Sequence, residues 1–196
     1  MSRLGPLDLE LRGQHVALVP LSQDHRKALA EAVGDLHRLW YTTIPDAAGM
    51  AAEIDRRLAL REAGSMLPFT LLDAAARPVG MTTFMNIDHA LPRVEIGSTW
   101  VGATAQRGPL NTEAKRLLLG HAFEVWGCEA VEFRTHRLNL QSRRAIERLG
   151  AQFDGMLRAH MRMPNGTMRD TACYSILKSE WPTVRSHLDW QIGKPR

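Results

Sequence analysis

The sequence predicts one α/β (α+β) domain: a mixed central sheet of about seven strands with helices on both faces. Its 196 residues are 44% hydrophobic and 23% charged, which suits a single domain with a sizeable core. Stretches in which apolar residues recur every second residue, as in strands, alternate with stretches in which they recur about every 3.6 residues, as in helices. Their order is β-α-α-β-β-β-α-β-α-β-β-α. This departs from regular βαβ alternation and argues against a doubly wound nucleotide fold.

The first third of the chain predicts a strand and two helices. Residues 15–21 alternate and are rich in β-formers, as in a strand. Ser22 is a suitable N-cap for a helix over 23–34. A second helix is expected over 46–62, because its apolar positions fall on one stripe and Gly64 follows as a stop.

The remaining elements follow from the same two periods and from turn residues. The long central helix is expected to begin at Asn111 as N-cap, to bury Ala114, Leu118 and Val125 on one face, and to stop at Gly127. Asn165-Gly166 is a hairpin signal between the last two strands. The other elements are expected as strands over 67–72, 79–85, 93–101, 130–135, 156–163 and 172–177, and as helices over 142–149 and 180–191.

Residue content excludes several classes of protein. Two cysteines, Cys128 and Cys173, are too few for a disulfide scaffold or a cysteine-rich zinc site. The eight histidines are dispersed without an HExxH pair, so we expect no metal. No apolar run is long enough to span a membrane and the N-terminus lacks an apolar signal region, so we expect a cytoplasmic protein without membrane partners.

The charge is mildly basic. The net charge of +4 has two interpretations: an ordinary solvated surface, or attraction to anionic ligands such as nucleotides. Trp40, Trp126 and Trp181 are expected in core or lid packing, because they are not interleaved with basic residues. A nucleic-acid partner is therefore the least favoured.

Two segments are candidates for chemistry. Strand 93–101, the loop after it and the next helix would present free amides and a positive dipole end to an anion, with Arg107 and Lys115 adding charge. The alternative is an ordinary strand-to-helix connection. In the second segment, Asn139 can bond backbone amides, and Ser142 is either a helix cap or a proton donor.

Both segments resemble one family. The stretches VEIGSTWVGATAQRGPLNTEAKRLLLGHAFE, RTHRLNLQSRRAIERLGAQFDG and RDTACYSILKSEW, with HVALVPL, resemble the GCN5-related N-acetyltransferases (GNAT). The resemblance is nearest to the branch of RimJ/RimL-type acetyltransferases of ribosomal-protein N-termini. It covers about 14–182. It implies one acetyltransferase domain over 1–196, with 1–13 as an arm and 179–196 as a C-terminal helix and tail.

The resemblance also implies acetyl-CoA as cosubstrate and a strand over 95–101 that splays from its neighbour. The residues that it assigns to acetyl-CoA binding are Trp100, Val101, Gln106, Arg107, Gly108, Leu110, Asn111, Thr112, Asn139 and Ser142. The chain departs from the family at Pro109 and Asn111, where the phosphate loop has glycines, and at Ile146, where many members have a tyrosine. Pro109 removes an amide donor, which puts cofactor affinity in doubt.

The implied reaction is direct attack of an amine on the thioester in a ternary complex. Glu95 is expected to be the general base, directly or through water; its alternative role is a surface carboxylate. The Val101 amide would stabilise the oxyanion, and Ser142 would donate to the departing thiolate.

The acceptor is expected to be a protein N-terminal amine. The alternatives are a small-molecule amine and a non-catalytic acyl-CoA-binding module, and a homodimer stays open. Acceptor contacts are expected from the first two helices and from loop 86–92, with Asn86, Asp88 and His89.

Overall fold

The computed structural model describes residues 8–88 and 90–194. It confirms the mixed α/β architecture and adds one short strand to the seven expected. The strands are β1 Leu11–Arg12, β2 Ala17–Pro20, β3 Met66–Leu72, β4 Pro78–Asp88, β5 Arg93–Val101, β6 Ala130–His136, β7 Gln152–Arg162 and β8 Met168–Leu177. The helices are α1 Arg26–Val33, α2 Met50–Glu62, α3 Leu110–Gly120, α4 Leu140–Arg148 and α5 Trp181–Gly193.

The eight strands form one sheet in the order β1-β2-β3-β4-β5-β6-β8-β7. Every neighbouring pair is antiparallel except β5 and β6, which are parallel. The parallel ladder joins residues 93–95 to residues 130–132 and goes no further. Because β5 continues to Val101 and β6 to His136, the two strands splay apart beyond Glu95.

Apolar residues are buried on both sides of the sheet. On one side α1 and α2 pack over β3 and β4 around Leu29, Ile54 and Trp100. On the other side α3, α4 and α5 cover the sheet around Leu118, Ile146 and Leu188, and this is the larger core. Helices therefore lie on both faces, as the sequence predicts.

The helix starts differ in part from the prediction. Ser22 accepts from the Asp24 amide as the expected cap, although a 3₁₀ turn precedes α1. Helix α2 begins at Met50 rather than at residue 46. The expectation of Asn111 as N-cap is wrong, because Pro109 is the N-cap of α3 and Asn111 lies inside its first turn.

The end of α3 changes its buried face. Residues 121–125 form a π-helical turn, closed by a hydrogen bond from the Trp126 amide to the His121 carbonyl. A wider turn rotates the residues after it relative to a regular helix. Phe123 is consequently buried, whereas Val125 is 68% exposed instead of lying in the core.

His121 and Cys128 both pack against the core. The His121 ring lies against Phe84 and Trp126, and burial lowers its pKa. Cys128 is buried as a small core residue, and burial raises the pKa of its thiol. In the described part of the chain no helix is long and apolar enough to cross a membrane, and no group of side chains is suited to hold a metal ion.

Candidate active site

The splay between β5 and β6 leaves one backbone amide aimed into the gap. The Gly102 amide bonds the Val79 carbonyl at 2.8 Å, and Trp100 lies opposite Met81. In an antiparallel pair only every second residue of a strand forms hydrogen bonds with the neighbouring strand. The N–H of Val101 therefore points away from β4, into the gap that β6 has left by diverging. The carbonyl of Val101 accepts a 2.7 Å hydrogen bond from Gln106 Nε2. The backbone N–H of Val101 is therefore the group of this residue that is left to donate to a ligand.

The N-terminus of α3 opens at the same edge. The Glu113 amide bonds the Pro109 carbonyl at 2.9 Å as the first helical hydrogen bond, so the amides of 110–112 have no partner within the helix. Gly108 lies before the helix with no atom within 4 Å of where a Cβ would stand. Open space, free amides and the positive dipole end together suit an anionic group such as a pyrophosphate.

Three residues are predicted to lie at the anion-binding loop before α3, and the structure places each of them in a different environment. Arg107 is exposed, with a left-handed φ of 63°. Asn111 is half-buried, and its Oδ1 has no hydrogen-bond partner in the described part of the chain. Lys115 does not add charge to the loop, because its Nζ points into the sheet and bonds the hydroxyls of Thr82 (3.0 Å) and Thr99 (2.7 Å).

The N-terminus of α4 follows β6 and therefore lies at the same edge of the sheet as that of α3. Asn139 is its N-cap, with Oδ1 accepting from the Ser142 amide at 3.1 Å. The Ser142 hydroxyl is half-buried and makes no hydrogen bond among the described residues. Ile146, at the family's tyrosine position, is a core residue. Tyr174 does not replace the tyrosine, since it is fully buried and its hydroxyl is bonded to Arg143 and Glu147.

Glu95 is buried at the last rung before the splay, so its alternative role as a surface carboxylate is wrong. Its Oε2 accepts a 2.7 Å hydrogen bond from Asn86 Nδ2, and Arg134 Nε lies 3.6 Å away. Gly97 leaves room for the carboxylate, because a Cβ there would stand 3.0 Å from Oε1. Burial raises the pKa of Glu95, against the opposing effects of Asn86 and Arg134. A carboxylate with a raised pKa suits a general base near neutral pH.

Around Glu95 the sheet carries a continuous row of polar side chains, which we call the polar face. Register places its members opposite one another, with Glu132 beside Glu95 and Cys173 beside Arg134. Helices α1 and α2 pack mainly on β3 and β4, and Glu132, Arg134, Arg169 and Cys173 of this row stay half-buried rather than fully covered. The polar face comprises Glu95, Glu132, Arg134, His136, Arg169, Thr171, Cys173 and Ser175.

The loop before α2 reaches one end of the polar face. Trp40 is half-exposed, and its ring meets the buried His136 edge-on at 5.3 Å. Arg169 is half-buried there, and its Nε donates to Thr171 Oγ1. Sequence reasoning missed this row, although the alternation of polar and apolar residues along β8 was a readable signal.

The predicted acceptor loop is placed in part. Asn86 has a φ of 49° and bonds Glu95 rather than standing free. Asp88 accepts from the amides of Ala90 and Leu91, and so closes the turn. His89 lies outside the described residues.

A surface cleft of about 720 Å³ lies elsewhere, between α4 and α5, with Gly150 and His187 in its lining. It contains none of the predicted site residues. The splay is instead a slot between two strands of the sheet.

Comparison with known proteins agrees with this geometry. The model of the acetyltransferase (GNAT) domain matches residues 15–152. The "Putative ribosomal N-acetyltransferase YdaF" of Bacillus subtilis (strain 168) is 32% identical over 102 residues, 52% of this chain. That alignment covers 55% of YdaF, so the chain spans about half the length of this curated relative.

Solved structures extend the likeness to nearly the whole chain. A GCN5-related N-acetyltransferase from Brucella melitensis is 34% identical with a TM-score of 0.84, covering 94% of this chain and 86% of the other. Mycobacterium smegmatis RimJ in complex with CoA-disulfide shares the fold, with a TM-score of 0.77 at 24% identity and 93% of both chains covered. The chain belongs to the GNAT family of acetyltransferases.

Proposed function

We propose that this acetyltransferase carries the acetyl group of acetyl-CoA to a primary amine, the N-terminal α-amine of a protein, by direct attack in a ternary complex. One observation carries the proposal. The Val101 amide is aimed into the splay at the edge of the sheet where α3 and α4 begin, and the buried Glu95 lies on the same strand, at the last rung before the splay opens. A thioester held in the gap would meet a hydrogen-bond donor and a base together.

Acetyl-CoA is the acyl donor that the family uses, and the chain's residues fit it. The amides of 110–112 and the open space at Gly108 would hold the pyrophosphate, although Pro109 contributes no amide. Gln106, Trp100 and Val101 would line the pantetheine path through backbone and side-chain groups. Asn139 would bond the pantetheine after exchanging its present partner, the Ser142 amide.

The transfer follows from these groups. Glu95 would take the proton of the attacking ammonium, directly or through water, and the freed amine would add to the carbonyl carbon. The Val101 amide would stabilise the oxyanion. As the tetrahedral intermediate collapses, the nitrogen would lose its second proton to water, and the C–S bond would break with the electron pair on sulfur. The Ser142 hydroxyl would donate to that thiolate.

Neither cysteine suits a covalent intermediate. Burial raises the pKa of Cys173, the one on the polar face, and therefore disfavours its nucleophilic thiolate. Cys128 lies in the core. Direct transfer is consequently the simpler mechanism; acetyl-enzyme trapped on either cysteine would overturn it.

The polar face supports an acceptor of some length, because it extends from Glu95 to Arg169, carries both charge signs and keeps Glu132, Arg134 and Arg169 partly accessible. A protein N-terminus fits such an extended surface, and YdaF bears the name of a ribosomal acetyltransferase. The second candidate is a small amine, favoured by the aromatic corner of Trp40, Tyr41 and His136.

A screen of acetyl-CoA consumption decides between these acceptors. N-terminal peptides and small amines are offered to the protein, thiol release is followed, and mass spectrometry locates the acetylated nitrogen. Turnover on peptide α-amines supports the proposal, and turnover on small amines alone supports the second candidate. Binding of acetyl-CoA by calorimetry without thiol release on any amine supports a non-catalytic module instead.

A further inference from the structure

Strand β5 contains a bulge immediately before Val101. Thr83 pairs with Gly97 and Met81 pairs with Trp100, so two residues of β5 face one residue of β4. The first extra residue, Ser98, has a left-handed φ of 46°. This region suits glycine, and a residue with a Cβ pays about 1–2 kcal/mol to occupy it.

The bulge determines which way the side chains and the backbone N–H groups point in the residues of β5 that follow it. A strand alternates both its side chains and its hydrogen bonds, so one extra residue exchanges the two directions. With the bulge, Trp100 bonds β4 and buries its ring under α1 and α2, and Val101 turns its amide to the splay. Without the bulge, Val101 would bond β4 and its amide would leave the gap.

A buried arginine of α2 holds the bulge. Both terminal nitrogens of Arg57 donate to the Ser98 carbonyl at 3.2 Å. Arg57 is 3% exposed, and its Nε donates to Glu53 Oε1 at 2.7 Å, which balances the buried charge. A planar guanidinium offers this two-pronged contact, whereas an ammonium does not.

The opposite face of the bulge is held as well. Lys115 Nζ bonds the second bulge residue, Thr99, and also Thr82 across the strand pair. Two buried basic side chains, Arg57 of α2 and Lys115 of α3, thus approach the bulge from opposite sides of the sheet and form hydrogen bonds with its two neighbouring residues.

We infer that Arg57 is a positioning residue for acetyl transfer: it holds Ser98 in its left-handed conformation and so aims the Val101 amide into the splay. This inference rests on the proposed function, in which that amide meets the oxyanion. It assigns a role in the reaction to helix α2 through Arg57, whose hydrogen bonds in the described structure go to Glu53 and Ser98 and not to Glu95.

The test uses rescue at the bulge. Arg57→Gln is expected to lower kcat for acetyl transfer on the order of 10- to 100-fold, approaching the effect of losing an oxyanion donor, with a smaller change in the KM for acetyl-CoA. Adding Ser98→Gly should restore most of the loss, because glycine occupies positive φ without the guanidinium. Loss of α2 packing alone would not be rescued by a change in β5.

Arg56→Gln is the matched control. Arg56 binds the same carboxylate, Glu53, but is half-exposed and does not contact the bulge, so this variant should keep wild-type kcat. Melting curves confirm that every variant is folded, and a crystal structure of Arg57→Gln should show Ser98 leaving positive φ. Unchanged kcat in folded Arg57→Gln, or no rescue by Ser98→Gly, overturns the inference while the proposed function stands. A wild-type chain inactive on all amines overturns both.

Discussion

The hydrogen bond from Asn86 Nδ2 to Glu95 Oε2 helps to set the protonation of the candidate base. Burial raises the pKa of Glu95, and this hydrogen bond lowers it, so the two effects oppose each other. Removing the bond should therefore push the pKa further up. Glycine is the suitable replacement, because Asn86 has a φ of 49°.

We expect Asn86→Gly to move the acidic limb of the pH dependence of kcat/KM to higher pH, since Glu95 must be deprotonated to act. Glu95→Gln should abolish that limb and lower kcat on the order of 10²- to 10⁴-fold. Initial rates over pH 5–9 give kcat/KM at amine concentrations well below KM and kcat at saturating amine, and so measure both effects. If the limb is unmoved in both variants, water alone accepts the proton.

Ser142 combines two roles that one substitution separates. Its backbone amide completes the cap with Asn139, while its hydroxyl is free to donate to the thiolate. Ser142→Ala removes only the hydroxyl. We expect kcat to fall about 10-fold or more, from loss of a hydrogen bond to a charged sulfur, with little change in acetyl-CoA affinity or melting temperature.

Asn139→Ala is the comparison for that variant. Loss of an N-cap costs about 1 kcal/mol, so it should lower the melting temperature as well as acetyl-CoA affinity. Stopped-flow turnover and calorimetry on the two variants read chemistry and binding separately. Unchanged turnover in Ser142→Ala would remove Ser142 from the mechanism.

Local sequence predicts the helices and strands because each has its own spacing of apolar residues and its own turn residues at the ends. Asn165-Gly166, for example, forms the turn between β7 and β8, with Gly166 at a φ of 84°. The same local signals fail at the start of α3: Asn111 has a capping side chain, but the helix begins at Leu110 with Pro109 as its N-cap. The π-helical turn that ends the helix has no local sequence signal at all.

The candidate site was predictable to the extent that it is local. The two helix N-termini could be predicted because each follows a strand, and the place of Glu95 could be predicted because it lies on the strand before the first of them. The bulge and the polar face could not. They depend on which residues of distant elements stand opposite β5, such as Arg57 from α2 and Lys115 from α3.

Lys115 makes the contact between α3 and the sheet depend on pH. It is fully buried without a carboxylate partner in the described structure, and burial lowers its pKa to about 7. An unfolded lysine titrates near 10.4. Between these two pH values the unfolded chain binds one proton more than the folded chain, so the free energy of unfolding rises with pH. The destabilisation caused by burying the charged lysine is therefore complete below pH 7 and decreases as the pH rises towards 10.

We expect Lys115→Met to be the more stable protein at pH 6, because it removes the buried charge and leaves Thr82 and Thr99 bonded to each other. Its advantage over wild type should shrink by up to about 1.4 kcal/mol per pH unit above pH 7. Urea unfolding at pH 6, 8 and 9 measures this. Lys178→Met, an exposed lysine paired with Glu129, controls for loss of one positive charge. A pH-independent difference would show that Lys115 stays charged when folded.

At the scale of the whole molecule, two halves of the sheet meet at a short seam. Strands β1 to β5 and strands β6 to β8 are joined by three residue pairs only. Helix α3 spans both halves, because Glu113 accepts from the amides of Gln14 and His15 while Arg116 bonds Asp189 of α5. A ligand in the splay would therefore touch both halves and the helix that links them.

This arrangement predicts that coenzyme A stabilises the entire fold rather than one loop. At a concentration 100 times its Kd, binding adds about 2.7 kcal/mol, which is a rise in melting temperature of roughly 5–10 °C for a chain of this size. Hydrogen exchange with and without coenzyme A should show protection along 97–112 and 139–142, on both sides of the gap. Protection confined to the cleft between α4 and α5 would instead place the nucleotide at Gly150 and His187, and the slot in the sheet would lose its role.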